Sequence, residues 1–110
     1  MKAIVYNEYS PEDDFAKILK VQEVDDPKPK SDEVVFQVKA AALNYNDIWG
    51  MRGNPVPVPL PHVSGSDAAG DVIAVGEDVK NIKVGDRVVS HSNMSCRVCK
   101  ACTDGREFDC

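Results

Sequence analysis

Cys96-Arg97-Val98-Cys99-Lys100-Ala101-Cys102-Thr103-Asp104-Gly105-Arg106-Glu107-Phe108-Asp109-Cys110 decides how this chain folds. The stretch holds all four cysteines of the 110-residue sequence, spaced Cys-x2-Cys-x2-Cys-x7-Cys. A Cys-x2-Cys pair turns two thiolates toward one point. A third cysteine extends the curl, and a return of seven residues brings the fourth. Zinc takes four such soft ligands at about 2.3 Å in a tetrahedron. Four sulfurs fill the shell and leave no place for water or substrate, so the spacing predicts one structural zinc on Cys96, Cys99, Cys102 and Cys110. Metal-free thiols are the bland alternative. Two disulfides fit worse, because the N-terminal residues show no secretory pattern and clustered cysteines then read as metal ligands in a reducing cytoplasm. A bacterial iron–sulfur run also spaces three cysteines by two, but its fourth follows after three residues with Pro behind it. Arg97, Lys100 and Arg106 lie among the cysteines, either favouring the thiolate charge or simply solubilising the surface.

Upstream of this lobe (residues 94–110) the chain reads as short strands divided by Gly and Pro turns. Val84-Gly85-Asp86-Arg87-Val88-Val89 is a tight turn feeding a strand. Ala69 to Val75 is apolar and strand-like. Asn54 to His62 holds four prolines and predicts extended loop. Asn44-Tyr45-Asn46-Asp47 opens a short helix through Met51, with Asn44 or Asn46 as N-cap and Gly53 as stop. Trp49 and Met51 on it read as core or as cleft wall. Glu33 to Ala42 is the longest strand candidate, with Val34, Phe36 and Val38 alternating with Val35, Gln37 and Lys39. Lys2 to Tyr6 and Ile18 to Val24 are strands, Leu19, Val21 and Glu23 sharing one face of the second. Ser10 to Asp14 is a polar turn, and Asp25 to Asp32 a proline-bearing connection. The pattern predicts a mostly β domain, barrel or sandwich, with little helix.

A hydrophobic share of 43% suits a globular domain with a core. The net charge of -5 argues against nucleic acid or an anionic membrane surface as partner. The longest apolar stretches fall far short of the ~20 residues that span a bilayer. Gly65-Ser66-Asp67-Ala68-Ala69-Gly70 has the spacing Gly-x4-Gly and is not a dinucleotide fingerprint, so no cofactor-binding residue is assigned.

The cysteine spacing behind Val84-Gly85-Asp86-Arg87-Val88-Val89 resembles the medium-chain dehydrogenase/reductase superfamily of zinc alcohol dehydrogenase type. Met1-Lys2-Ala3, Asp25-Asp26-Pro27-Lys28-Pro29, Glu33-Val34, Gly65-Ser66-Asp67-Ala68-Ala69-Gly70-Asp71-Val72 and Val75-Gly76 follow in that family's order. The resemblance covers essentially the whole chain. It implies that residues 1–110 are the N-terminal part of a GroES-like, partly open barrel with short helices and a zinc lobe. It implies a Rossmann domain that these residues do not contain, binding NAD(P)H. On this reading the chain is a piece of a longer polypeptide, inactive alone and homo-oligomeric when complete.

The resemblance also shows where this sequence departs. Zinc alcohol dehydrogenases place a Cys ligand of catalytic zinc where Asn44 stands, a Ser or Thr of the proton relay at Asn46, and a His ligand at Ser66, followed by Glu at Asp67. An amide and a protonated hydroxyl are poor zinc ligands. The catalytic zinc is therefore expected to be absent. His62 and His91 read as structural, His62 packing beside the prolines. Reduction of a conjugated C=C bond has less need of a Lewis acid, since hydrogen-bond donors hold the developing enolate. Asn44, Tyr45, Asn46 and Ser66 are the candidates for that small-molecule substrate site, with helix capping a compatible role for Asn44. Asn44-Tyr45-Asn46-Asp47-Ile48-Trp49 with Pro61-His62-Val63-Ser64-Gly65-Ser66-Asp67 looks like the acryloyl- or crotonyl-CoA reductases, with quinone oxidoreductases as the wider type. The expected function is reduction of an enoyl thioester, enone or quinone. The alternatives are an alcohol dehydrogenase with altered ligands and a non-enzymatic zinc-stabilised module.

Overall fold

A computed structural model describes residues 1–55, 57–91 and 94–110. Two antiparallel three-stranded sheets carry the body. In the first, β1 (Lys2–Tyr6) lies between β2 (Lys20–Glu23) and β4 (His62–Val63), with Ile4 opposite Val21 and Tyr6 opposite His62. In the second, β5 (Asp67–Val75) lies between β3 (Val34–Ala42) and β6 (Arg87–Val89), with Phe36 opposite Val72. Helix α1 (Phe15–Ile18) links β1 to β2, and α2 (Tyr45–Arg52) follows β3. The short α3 (Lys100–Thr103) and a 3-10 turn over Glu107–Asp109 make up the cysteine lobe.

The core forms where α1 and α2 cover the end of β1. Tyr6, Ile18 and Met51 are buried against one another, with Tyr9, Phe15, Leu19, Ile48 and Val58 packed around them. Each such side chain contributes about 1.5–3 kcal/mol on leaving water. The Ser10 N–H donates to the Met51 carbonyl at 2.8 Å, and the Tyr9 hydroxyl donates to the Val58 carbonyl at 2.6 Å. These bonds tie the loop after β1 to α2 and to the proline stretch.

The expected strands are present, with three corrections. Ile18 does not open the second strand. It ends a one-turn helix that brings Phe15 and Ile18 to the core side together, and β2 begins at Lys20. Val21 on the supposed shared face of that strand is 70% exposed. The alternation expected along 33–42 is also lost: Val34, Val35 and Phe36 are all half-buried and everything after them is exposed. Irregularities between Val35 and Phe36 and between Val38 and Ala40 shift the register, and a bulge changes which face each later side chain takes. His62, expected in the loop, pairs with Tyr6 as β4. The rest of the 54–61 stretch is irregular as predicted, except Val56, which lies outside the described residues.

The radius of gyration is 15.8 Å, above the ~13 Å of a compact chain of this length. In the cysteine lobe α3 and the 3-10 turn pack on each other, and neither holds a residue that is buried as a whole.

Candidate metal centre and substrate pocket

The lobe is built by backbone geometry. Arg97 takes a left-handed φ of 61°, which turns the chain sharply between Cys96 and Cys99. Helix α3 then carries Cys102, and its end is closed in the Schellman manner. Arg106 N–H donates to Ala101 O at 2.8 Å, and Gly105 N–H donates to Cys102 O at 3.0 Å. Gly105 sits at φ 76°, a conformation that any Cβ would strain. That reversal, continued by the 3-10 turn, returns Cys110 to the other three cysteines.

All four Sγ atoms lie within 4.8 Å of one another, and none is in a disulfide. Cys99 Sγ is 3.5 Å and Cys96 Sγ 4.0 Å from Cys102 Sγ. A tetrahedron with arms of about 2.3 Å has edges of about 3.8 Å, so these sulfurs already stand at zinc spacing. Backbone N–H groups support the sulfurs: Cys99 N–H donates to Cys96 Sγ and Cys96 N–H to Cys110 Sγ, each at 3.3 Å. The N–H groups of Val98 and Cys99, then the neighbouring thiols, pull the Cys96 thiol down to about 6. Burial, then its Cys99 neighbour, pushes Cys102 up to about 11. The residues fit a structural zinc.

The lobe's cations have carboxylate partners. Lys100 meets Asp104 at 2.9 Å, and Arg106 meets Asp109 at 2.7 Å and Asp104 at 3.6 Å. For these two side chains the surface role stands ahead of support for the thiolates.

A second site lies where α2 faces the segment joining β4 to β5. A cavity of about 130 Å³ is lined there by Asn46, Asp47, His62, Ser64 and Ser66, with Tyr6 and Gly50 among the remaining wall. Helix α2 is held in place by its N-terminus. Asn44 is the N-cap, and its backbone N–H donates to Asp47 Oδ2 at 2.8 Å, the reciprocal half of a capping box. The Asn44 amide donates to the Asp67 carboxylate at the start of β5, which joins the helix to the second sheet. At the far end Gly53 closes the helix at φ 69°.

Two of the four candidate residues, Asn46 and Ser66, therefore face one cavity. Asn44 stands beside it with its amide committed to Asp67. Tyr45 is not in the lining. It is 60% exposed, meets Trp49 edge-on at 5.5 Å and lies under the Arg52 guanidinium at 5.9 Å. Met51 is core and Trp49 is 44% exposed. The His62 ring packs on Tyr6 at 5.4 Å and also lines the cavity. Ser64, Gly50 and Tyr6 had no sequence signal for this place. Only the pairing of β1 with β4 brings Tyr6 under α2.

Residues 30–110 match the family defined as the alcohol dehydrogenase GroES-like domain. An alcohol dehydrogenase of Geobacillus stearothermophilus is 36% identical over 112 residues, covering 100% of this chain and 31% of the relative. An acryloyl-coenzyme A reductase of Sulfurisphaera tokodaii is 37% identical over 91 residues, covering 83% of this chain and 27% of the relative. Among solved structures, the cobalt- and zinc-bound thermostable alcohol dehydrogenase of Pyrobaculum aerophilum superposes with a TM-score of 0.87 at 32% identity, covering 100% of this chain and 32% of that one. The chain thus spans about a third or less of the length of these relatives. No helix among the described residues is long and apolar enough to cross a membrane.

Proposed function

Because the chain belongs to the alcohol dehydrogenase GroES-like domain family, we propose that it is the substrate-side domain of an NAD(P)H-dependent oxidoreductase that reduces an activated C=C bond. The substrate class is an enoyl thioester, enone or quinone. One observation carries this reading. At the two positions where the family resemblance calls for ligands of catalytic zinc stand Asn44 and Ser66, and Asn44 has its amide engaged with Asp67. Among the described residues, the side chains of three or more His, Cys, Asp or Glu converge only at the four cysteines.

Alcohol oxidation needs a group that stabilises an alkoxide, and a Lewis acid normally supplies it. Conjugate reduction places negative charge on a carbonyl oxygen, which neutral donors hold well in a site of low dielectric. Asn46 and Ser66 are such donors. The nicotinamide would supply the hydride and would be held by polypeptide outside these 110 residues. Cys96, Cys99, Cys102 and Cys110 would hold one structural zinc, which orders the lobe and takes no part in the reaction. The complete enzyme is expected to act on a small molecule in a reducing compartment and to self-associate.

The opposing reading is an alcohol dehydrogenase, favoured by the Geobacillus relative that aligns with the whole chain. Assaying the full-length protein with crotonyl-CoA and NADPH, against ethanol and NAD, separates the two. Thioester reduction with one zinc per chain supports the proposal. Ethanol turnover that depends on a second zinc would sink it.

A further inference from the structure

Tyr6 is 1% exposed, yet it lines the cavity beneath α2. No described residue exchanges a hydrogen bond with its hydroxyl, and no fully enclosed side-chain polar atom among the described residues lacks a partner. The hydroxyl is therefore not fully enclosed, and the cavity that Tyr6 lines is where it can find a partner. A buried hydroxyl without a protein partner takes water or ligand as its partner. Gly50, itself buried in α2, packs directly against the phenol oxygen. A Cβ built on Gly50 would lie 2.9 Å from the Tyr6 oxygen. A glycine inside a helix is costly relative to alanine, and no positive φ explains this one. What its missing side chain provides is room for the phenol beside the helix.

We propose that Tyr6 is a substrate-binding residue of this cavity: its hydroxyl donates a hydrogen bond to the carbonyl oxygen of a short enoyl or enone group, and Gly50 makes room for the phenol in the cavity wall. This rests on the function proposed above. The cavity, of about 130 Å³, has room for a small ligand group. Asn46 and Ser66 provide further polar contacts and Val58 an apolar wall. In the reaction a hydride from the reduced nicotinamide forms the new C–H bond at the β-carbon. The C=C π pair shifts to make the enolate, and the α-carbon then takes a proton from water. Tyr6 keeps its own proton throughout. Burial, then Tyr9 and Asp47, raises its pKa, so it serves as a donor and not as a base. Its hydrogen bond strengthens as charge reaches the oxygen, which places its effect on the reaction step.

The test uses the full-length enzyme, with Tyr6→Phe and Gly50→Ala as variants and acryloyl- and crotonyl-CoA as substrates. Tyr6→Phe should lower kcat by about 10–100-fold with little change in KM or in thermal midpoint. Gly50→Ala should lower it comparably, because the methyl group would lie 2.9 Å from the hydroxyl oxygen and displace it. Crotonamide is titrated in parallel as a non-thioester carbonyl probe, and its Kd should rise at least about threefold in Tyr6→Phe. Unchanged kcat in both variants, or equal crotonamide binding in the wild type and Tyr6→Phe, overturns the assignment. A wild type that reduces neither thioester refutes the function proposed above. The crotonamide titration then decides on Tyr6 alone.

Discussion

The body and the cysteine lobe of this chain are ordered by different forces. The body buries Val5, Tyr6, Ile18, Met51 and Val72 and ties its loops to that core through backbone bonds. The lobe buries no large apolar side chain: Met94, Val98 and Phe108 are 94%, 81% and 74% exposed. Its shape comes from two left-handed residues, a closed helix end and four sulfurs aimed at one point. A body of this kind melts when apolar surface is uncovered. A lobe of this kind loses its fold when its cation leaves.

Removing the metal should produce the largest effect and the sharpest division. Structural zinc in peptides of comparable ligand sets contributes about 10–16 kcal/mol of apparent folding free energy near neutral pH. Chelation, or Cys102→Ser, is expected to abolish amide protection over residues 96–110 while β1 and β5 keep theirs, as hydrogen exchange will show. If protection in the two regions falls together, the division is wrong. Met51→Ala should act in the opposite sense. It opens a cavity in the body at a cost of about 2–5 kcal/mol, readable by denaturant unfolding, and leaves the zinc content at one per chain. Gly105→Ala is a smaller probe of the lobe. A Cβ at φ 76° costs about 1 kcal/mol, which should appear as a roughly fivefold loss of zinc affinity in a chelator competition.

Acid sharpens the same comparison. Hydrogen bonds from Arg52 hold Asp13 below the usual carboxylate range. Those from the Lys30 backbone and side chain do the same for Glu33, and those from the Lys83 side chain and backbone for Asp86. A carboxyl whose pKa is lowered on folding contributes stability above its unfolded pKa and loses it as the pH falls through the lowered folded value. Asp13 and Glu33 are exposed and Asp86 is only half-buried, so the body should lose little stability down to about pH 4 and only modestly more below it. The lobe should release zinc at higher pH, because protons compete with the metal for thiolates. Zinc release measured against the body's thermal midpoint, both as functions of pH, checks the order.

Much of this was written in local sequence. The helix over 45–52 was legible because Asn44 and Gly53 mark its ends chemically. The cysteine spacing announced the cluster because four thiols so close have few other uses. What local sequence did not carry is long-range pairing. The bulges in β3 depend on its fit to β5, so the alternation read at Val34 to Lys39 did not hold. Phe15 to Ile18 is too short to show helical periodicity. The substrate pocket was half legible. Asn46 and Ser66 came from motif positions, whereas Tyr6 is 40 residues away from Asn46 and enters only through its pairing with His62. Asn44 was visible as a cap, but its amide bond to Asp67 lies between segments 23 residues apart and has no local signature.

That amide–carboxylate link between α2 and β5 constrains the history open to this fold. Placing Cys at 44 would strand the Asp67 carboxylate without its donor, while a lone His at 66 would have no second soft ligand beside it. A metal-assisted version of this pocket would therefore need changes at both 44 and 66, with the Asp67 carboxylate taking a new partner.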